Sequence, residues 1–507
     1  MPASTRRVLA AAAGAAAIVS LAGPVTAATA APARPAARAA HAVHATHAVR
    51  AARPGRTGPA ITLDSGVVLS GYDAATDAAG TTFIGWIGNH DTATTKRTIY
   101  LCTLPRGASR CAGGIASTSS LGPDSAAGLT VLTTPGGKVT LVWQHTTTAS
   151  ESGPNGDEIA TATRQSNGSL SAAADQATAP SFGTMLDAEL SPQGDIWVVS
   201  APSSAAGGLQ VRPGLSHAAV NLKTPYMVSF ARLAFSGGTA VLGIQKGGAI
   251  TVPASYAVSS GRGWSRFRAV ARTWTAGAGI GLVRTTSGIR LVATVNNADY
   301  WPVVSRFSGG SFSRPQLTGD KNNCHPSSHD LVADASGRSA DVSEECEDLA
   351  VANLTDTLHA AVFRFGSGGT LADGTPQLTT RPSGHGWVVW SIEGKVADKL
   401  LAVPVLLAAR MRSASASVSG NRAHVTGPAS CLPPETVTLG VGGSAARHWH
   451  VVSTALLLDG KAHGRSLNGA ALTAGKSYTL SGRVTFADGG TRRTATAKLT
   501  FRTCPNP

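Results

Sequence analysis

One pattern recurs seven times in this 507-residue sequence: an apolar strand, a tight turn that carries glycine, and a second apolar strand. Glycine supplies the positive φ that a short hairpin turn requires. The pattern therefore predicts one β-hairpin in each repeat, and such a repeat largely decides the fold. Successive marker glycines are 57, 57, 44, 50, 49 and 49 residues apart, and they are Gly80, Gly137, Gly194, Gly238, Gly288, Gly337 and Gly386.

A second hairpin signal follows each of the first six markers, in the strings CTLPRGASRC, ATRQSNGSLS, LQVRPGLSHA, VSSGRGWSRF, SRFSGGSFSRP and FRFGSGGTLAD. Two hairpins give four strands, and a four-stranded unit of about 50 residues is typical of a propeller blade. The seventh unit lacks a fourth strand of its own. Residues 61–69, which precede the first unit, can supply that strand and so join the two ends of the body.

These repeats resemble the secreted bacterial seven-bladed β-propeller superfamily, here with a C-terminal immunoglobulin-like domain. The resemblance covers about two thirds of the chain and rests on the period and the hairpins, because the WD dipeptide and the S-x-D-x-G-x-x-W box are both missing. It implies an all-β fold with a propeller over residues 60–410. Six blades and a chain of β-sandwiches are the alternatives.

The first 30 residues have the features of a signal peptide: Arg6 and Arg7, an apolar run, and the cleavage pattern Ala28-Thr29-Ala30. Sec and Tat export both remain open. Residues 31–59 contain hardly any large apolar side chain, which predicts a disordered tail. Its histidines at positions 41, 44 and 47 are either a metal tract or part of a low-complexity segment, and we favour the second. We therefore predict a secreted protein without a transmembrane segment.

The formal charge of +15 lies on the flanks of the chain. The segment before Asp64 carries +7 and residues 411–507 carry +8, from eleven basic and three acidic residues, whereas the body between them is neutral. Outside a bacterium, basic flanks predict binding to anionic cell-wall polymers rather than to nucleic acid. We expect a monomer.

Six cysteines in an exported chain predict disulfides. Cys102 and Cys111 are equidistant from the Arg106-Gly107 turn, and Cys324 and Cys346 lie symmetrically about Ala335. This symmetry predicts the pairs Cys102–Cys111 and Cys324–Cys346 and leaves Cys431–Cys504. Zinc bound by Cys324, His325, His329 and Cys346 is the alternative for the second pair.

Residues 411–507 contain several short strands, and the Asp488-Gly489-Gly490 turn joins the last two. This strand count predicts a small immunoglobulin-like sandwich held by Cys431–Cys504. Trp449 lies between the two cysteines, although the spacing differs from that of antibody domains.

Propellers bind ligands on the face where the second strand of each blade ends and the next first strand begins, so polar residues at those points are the candidate site. Tyr300 and Trp301 could stack on a sugar, and the histidines and carboxylates could orient hydroxyl groups. The candidate ligand-binding residues of this rim are His90, Asp91, His145, Asn297, Asp299, Tyr300, Trp301, Asn322, His325, Glu344, Glu345 and Glu393.

The sequence contains no G-x-S-x-G, H-E-x-x-H or P-loop motif. The acidic run from Asp341 to Asp348 could bind Ca²⁺ but lacks a loop motif for it, so no cofactor is predicted. We therefore predict a non-catalytic binding or adhesion protein whose rim binds a glycan or protein ligand. The alternative is a glycoside hydrolase or polysaccharide lyase with its carboxylates on the same rim.

Overall fold

The described part of the chain consists almost entirely of β-strands. The computed structural model contains forty strands, and the 3₁₀ turn Gly469–Ala471 is the only helical element among the described residues, so the all-β prediction is confirmed. In the same residues no helix is long and apolar enough to span a membrane. The structure describes residues 55–90, 97–105, 107–121, 126–134, 136–147, 156–179, 184–202, 208–246, 252–260, 263–275, 279–285, 288–296, 300–317, 329–333, 339–345, 348–354, 361–368, 370–371, 375–380, 385–394, 397–407, 411–429, 431–432 and 436–503.

The described strands of the body form six antiparallel sheets, and the eight-stranded one joins the two ends of the body. Counting its two halves separately gives seven units, numbered here in chain order. The first three units contain β2 (Ile61–Thr76), β3 (Thr82–Asn89), β4 (Thr98–Leu104) and β5 (Ile115–Ser119); β6 (Ala126–Thr133), β7 (Val139–Thr147), β8 (Gly156–Thr163) and β9 (Ala174–Ala179); and β10 (Thr184–Leu190), β11 (Ile196–Ala201), β12 (Leu209–Pro213) and β13 (Val220–Leu222).

The next two units have an extra short strand each. They contain β14 (Phe230–Ser236), β15 (Thr239–Gln245), β16 (Val252–Ser260), β17 (Gly263–Trp264) and β18 (Arg268–Thr275); and β19 (Gly281–Thr285), β20 (Gly288–Asn296), β21 (Tyr300–Ser308), β22 (Ser311–Phe312) and β23 (Gln316–Leu317).

The sixth unit is a separate four-stranded sheet, whereas the seventh shares β2 with the first unit. They contain β24 (His329–Ala333), β25 (Ser339–Glu345), β26 (Asp348–Leu354) and β27 (Ala361–Gly366); and β28 (Gln377–Thr380), β29 (His385–Ile392) and β30 (Asp398–Leu406), with β1 (Gly55–Arg56) added beside β30.

The first strands of the seven units surround one central cavity. Each first strand contacts the first strand of the next unit, and β28 contacts β2. An apolar cluster fills the space between each pair of neighbouring units, including the seventh and the first, so the sheets pack face to face around the cavity. This radial arrangement of small antiparallel sheets is of the β-propeller type.

The packing explains why the second strand of a unit is an almost continuous apolar run. In β3, seven of the eight residues are buried, and β29 and β15 follow the same pattern. A strand with a neighbouring sheet on each face has no solvent side, so alternation of polar and apolar residues is lost.

Strand β2 belongs to two units. Its first half, Ile61–Val67, pairs with β30, and its second half, Val68–Thr76, pairs with β3. The predicted pairing of residues 61–69 with the last unit is therefore present. It ties the start of the body to its end with backbone hydrogen bonds.

Three tryptophans on second strands anchor neighbouring units in the same way. The indole N–H of Trp143 donates to the carbonyl of Ser120 at 3.1 Å, and that of Trp390 donates to the carbonyl of Ser367 at 2.9 Å. Trp86 donates instead to the Asp64 carboxylate at 2.7 Å. Each acceptor follows or lies on the outer strand of the preceding unit, so the buried indole satisfies its N–H across the interface.

The structure differs from the sequence predictions at three places. Gly386 is not a turn residue but lies within β29 opposite Thr380, where an added Cβ would stand 1.9 Å from the Thr379 carbonyl oxygen. The string FRFGSGGTLAD is not a hairpin, because β27 ends within it and Leu371 already bridges Ile392 of the seventh unit. The predicted disordered tail ends earlier than residue 59, since Gly55–Arg56 pairs with β30.

The predicted disulfide Cys102–Cys111 is formed, with a Cα–Cα distance of 5.2 Å. Cys102 lies on β4, but Cys111 lies in the loop before β5 rather than opposite it on the ladder. The side chains of Cys324, Cys346, Cys431 and Cys504 lie outside the described residues, so those two pairs stay predictions.

Residues 411–503 form three further sheets around one apolar core. Leu439, Leu480 and Phe486 are among its fully buried side chains. The strands are β31 (Met411–Val418), β32 (Asn421–Pro428) and β35 (Gly440–Ser444); β33 (Cys431–Leu432), β36 (His450–Leu458), β37 (Lys461–His463), β39 (Ser477–Asp488) and β40 (Thr491–Thr503); and β34 (Thr436–Thr438) with β38 (Ser466–Asn468).

Candidate functional site

The central cavity has a volume of about 580 Å³ and receives residues from all seven first strands. Much of its wall is polar. Five charged residues line the cavity and make it suited to polar ligands: Asp73, Asp187, Glu189, Arg232 and Asp330. A cavity of this size accommodates a small molecule, in the range usual for ligand sites.

Four of these five charged residues, all except Glu189, occupy one structurally equivalent position, in the first, third, fourth and sixth units. That position pairs with the centre of the second strand, as in Asp73 opposite Gly85, Asp187 opposite Val199 and Asp330 opposite Val342. Taken around the cavity from the first unit to the seventh, the position holds Asp73, Thr130, Asp187, Arg232, Gly281, Asp330 and Gln377.

Each of the three aspartates accepts a hydrogen bond from the first strand of the next unit. Asp73 accepts from the Val131 N–H at 2.6 Å, and Asp187 accepts from the Leu233 N–H at 2.6 Å. Asp330 accepts from the Leu378 N–H at 2.7 Å. The donor strands β6, β14 and β28 are edges of their sheets, so their outward N–H groups lack a ladder partner and the aspartates satisfy them. The aspartates therefore hold neighbouring units together.

Arg232 takes the same position in the fourth unit but acts as a donor. Its Nη1 donates to the Leu186 carbonyl at 3.0 Å and to the Ala231 carbonyl at 3.1 Å. The guanidinium thus bridges the third and fourth first strands. Desolvation raises the pKa of Asp187, and the charge of Arg232 offsets part of that rise. It is the positive charge of a wall that carries four carboxyl groups.

Burial raises the pKa of all four carboxyl groups. Desolvation raises the pKa of Asp73 to about 7, and those of Asp187 and Asp330 to about 6. Desolvation, with the nearby charges of Asp187 and Asp73, raises the pKa of Glu189 to about 8. At neutral pH the cavity therefore holds a protonated Glu189 beside an ionised Asp187.

Asp187 and Glu189 alternate on β10 and both line the cavity. Alternate residues of a strand share one face and are separated by about 7 Å along it. A protonated carboxyl group donates a hydrogen bond and an ionised one accepts, so this pair presents both functions to the same ligand.

The predicted rim residues do not form one described cluster. His90 is 44% exposed, contacts Asp64 at 3.2 Å through Nε2, and packs edge-on against Tyr100. His145 is buried, and its Nε2 lies 2.6 Å from Asp175 Oδ1, so this imidazole is already engaged by a side chain of its own unit. Glu393 is exposed, and its backbone N–H donates to the Thr370 carbonyl.

The remaining rim predictions are outside the described atoms. Asp91, Asn297, Asp299, Asn322 and His325 lie outside the described residues. Only the backbone is described for Tyr300, Trp301, Glu344 and Glu345, which lie on strands β21 and β25. These residues stay predictions.

A fully buried Thr–His–Asp chain joins the fifth and sixth units. The Nδ1 of His329 lies 2.8 Å from Asp341 Oδ2, and its Nε2 lies 2.7 Å from Thr294 Oγ1. All three residues are at most 1% exposed, so substrate has no access and the chain serves to connect the units. Both ring nitrogens are engaged, which argues against the alternative in which His329 binds zinc. In the described residues, no group of His, Cys, Asp and Glu could hold a metal ion.

The acidic positions of the cavity were missed at the sequence level, although a signal was present. Asp73, Asp187 and Asp330 each stand seven residues before a marker glycine, as do Thr130 and Gly281. An acidic residue at a fixed offset in an otherwise apolar strand indicates a position that faces a shared polar space. Aligning the units on their glycines would have shown it.

Comparison with known proteins gives no family: no family model and no curated protein matches the sequence. Among solved structures, a protein of unknown function from Dyadobacter fermentans is similar, with 8% identity, a TM-score of 0.40, and coverage of 71% of this chain and 99% of that chain. The polysaccharide lyase Uly1 is similar with 10% identity and a TM-score of 0.41, and the match covers 69% of this chain and 99% of that chain. An intramolecular trans-sialidase from Ruminococcus gnavus is similar with 9% identity and a TM-score of 0.41, and the match covers 68% of this chain and 96% of that chain. These similarities assign no activity to this chain.

Proposed function

We propose that this chain is an exported binding protein that takes a small, hydroxyl-rich ligand, of the size of a mono- or disaccharide, in its central cavity. The observation that carries the proposal is the cavity of about 580 Å³, to which all seven first strands contribute and whose wall contains both hydrogen-bond donors and acceptors. The seven units are proposed as the blades of one seven-bladed propeller, and residues 411–507 as an immunoglobulin-like sandwich.

The charges in the cavity favour a neutral polyol over a metal ion. With Glu189 protonated, and Asp73 half protonated near pH 7, much of the formal negative charge of the wall is removed. Arg232 offsets part of the rest. Hydroxyl groups both donate and accept, and therefore match a wall that contains protonated carboxyl groups, ionised carboxylates and a guanidinium.

Binding is tested with a glycan array and a thermal-shift screen of free sugars on the full-length protein. A ligand of the cavity should lose at least tenfold in affinity in Glu189→Gln, because the amide changes both the donor geometry and the pairing with Asp187. Hits whose affinity is unchanged in this variant would place the binding site elsewhere.

A carbohydrate-active enzyme is the second candidate, and the Asp187–Glu189 pair favours it. Inverting glycosidases use a protonated acid and an ionised base about 6.5 to 9.5 Å apart, and a spacing of about 7 Å along β10 falls within this range. Incubation with polysaccharides followed by mass spectrometry separates the two functions. Released products that disappear in both Glu189→Gln and Asp187→Asn would establish the enzyme, and binding without products would exclude it.

Export and attachment complete the proposal. The charge order of residues 1–30 supports export through a signal peptide. The +7 and +8 flanks support noncovalent association with the anionic cell envelope. Retention of the purified protein on cell walls at low salt, and its release at moderate salt, tests the association.

A further inference from the structure

One face of the five-stranded sheet in residues 431–503 is strongly basic. On β39 and β40, cross-strand pairs place Arg483 opposite Thr496, Ala487 opposite Arg492, Ser481 opposite Lys498 and Ser477 opposite Arg502. The odd-numbered residues of β39 and the even-numbered residues of β40 therefore share one side of the sheet. We call this side the basic sheet face and define it by Arg483, Arg492, Lys498 and Arg502.

The other side of the same two strands is the core. Tyr478, Leu480, Val484 and Phe486 on β39 are buried there, as are the alternate apolar residues of β40. The four basic side chains are exposed, in contrast. Their side is thus the solvent side of the sheet, and no described element covers these four cations.

Among the described residues of this module, no carboxylate neutralises the charge of the face. Residues 436–503, which the structure describes throughout, contain two acidic residues, Asp459 and Asp488, and both stand at hairpin turns. Within the described residues none of the four cations has a carboxylate partner, and Arg502 donates from Nε to the Gly475 carbonyl at 2.6 Å. The field of the face is therefore free to act on an external anion.

The cations are spread along a line rather than gathered at a point. Arg492, Lys498 and Arg502 lie on one strand, β40, and the first and the last are ten positions apart, a rise of about 34 Å. Exposed threonine hydroxyls stand between them at Thr494 and Thr500. A linear polymer with repeated negative charges can contact all of these groups at once, whereas a single small anion cannot.

The composition of the face favours a glycan over a nucleic acid. Proteins that bind single strands stack the bases on aromatic side chains. The solvent side of β39 and β40, by contrast, carries only Ser, Thr, Ala, Lys and Arg. Hydroxyl groups and cations match a polymer that carries hydroxyl and anionic groups.

We propose that the basic sheet face binds a linear anionic glycan of the cell envelope and is the surface through which the protein is attached. This assignment rests on the proposed envelope association and gives it a location.

The test compares two variants of the full-length protein with the same change of charge. The face variant carries Arg483→Gln, Arg492→Gln, Lys498→Gln and Arg502→Gln. The matched control replaces three arginines and one lysine of the same module, all exposed and outside the face, with glutamine: Arg422, Arg447, Lys461 and Arg465. Heparin is the probe, a linear anionic glycan, and an oligothymidylate is the competing probe. Affinity is measured against salt concentration.

Each cation that contacts a linear polyanion contributes a slope of about 0.7 to 0.9 to the dependence of log K on log salt, as measured for nucleic acids. We expect the slope of log K against log salt to decrease in magnitude by about three in the face variant and by less than one in the control. At low salt, the heparin affinity of the face variant should also fall at least tenfold. We also expect the wild type to bind heparin more tightly than the oligothymidylate.

Equal losses in the two variants would overturn the assignment, because binding would then follow net charge alone. Tighter binding of the oligothymidylate, lost in the face variant, would overturn the choice of a glycan. A wild-type protein that does not bind heparin at all would refute the association itself and leave the cavity proposal untouched. If the face variant is unfolded by circular dichroism, the double variant Arg492→Gln/Lys498→Gln takes its place, with half the loss expected.

Discussion

Asparagine at position 73 should make the protein less sensitive to alkaline pH. The Asp73 carboxyl accepts the Val131 N–H across the first interface, and burial raises its pKa from 3.8 to about 7. An asparagine amide oxygen can accept the same hydrogen bond without any charge. The substitution therefore keeps the contact and removes the titration.

The sign and size of the pH dependence that Asp73 gives to the unfolding free energy follow from proton linkage. Between pH 3.8 and about 7 the folded state holds the Asp73 proton more tightly than the unfolded state, so the stability from this group is complete below pH 3.8 and falls as pH rises to about 7. From pH 5 to the folded pKa the span is about two pKa units, and at 1.36 kcal/mol per unit the wild type loses about 3 kcal/mol. We expect the stability of Asp73→Asn relative to the wild type to rise by this amount between pH 5 and pH 8, and then to level off.

Urea unfolding at pH 5, 6, 7 and 8 measures the difference. Asp195→Asn, at an exposed turn position, is the matched control and should show no such trend. A difference between Asp73→Asn and the wild type that stays constant from pH 5 to pH 8, or that falls, would refute the assignment of a raised pKa to the hydrogen-bonded aspartate.

Three further changes test other parts of the structure. Trp143→Phe leaves the Ser120 carbonyl without its indole donor and should lower the unfolding free energy by about 1 to 3 kcal/mol, measured by urea denaturation. Thr294→Val breaks one end of the buried chain through His329 and should cost about 1 to 3 kcal/mol without changing affinity for a cavity ligand; a change in ligand affinity would show that the chain does more than connect units. Cys102→Ser opens a short loop and should lower stability by about 2 to 3 kcal/mol, and an unchanged melting temperature would contradict a stabilising role for this disulfide.

The repeat was readable from the sequence because each hairpin combines two local signals, a run of apolar residues and a turn glycine. Gly80, Gly137 and Gly194 have the positive φ that this interpretation required. Gly386 was wrongly predicted as a turn residue, because glycine is also required where two backbones approach closely. Here the Thr379 carbonyl lies where a Cβ would be. Sequence alone does not distinguish these two uses of glycine.

The sequence predicted a candidate site on the rim and did not reveal the cavity that we propose as the ligand site. The rim was inferred from polar residues near strand ends. A polar residue there can already be hydrogen-bonded to a neighbouring side chain, as the His145 imidazole is to the Asp175 carboxylate. The cavity acids stand within apolar strands, and their convergence depends on residues up to 58 positions apart, such as Asp73 and Val131. Only the closure of the units around a shared space brings them together.

The claim that the central cavity is the ligand site is tested most directly by one binding measurement on matched variants. The sugar with the highest affinity for the wild type is titrated by calorimetry into the wild type, Glu189→Gln in the cavity and Glu393→Gln on the exposed rim. The cavity account predicts at least a tenfold loss of affinity in Glu189→Gln and an unchanged affinity in Glu393→Gln. The reverse result, with loss only in Glu393→Gln, would contradict it and place the ligand on the rim.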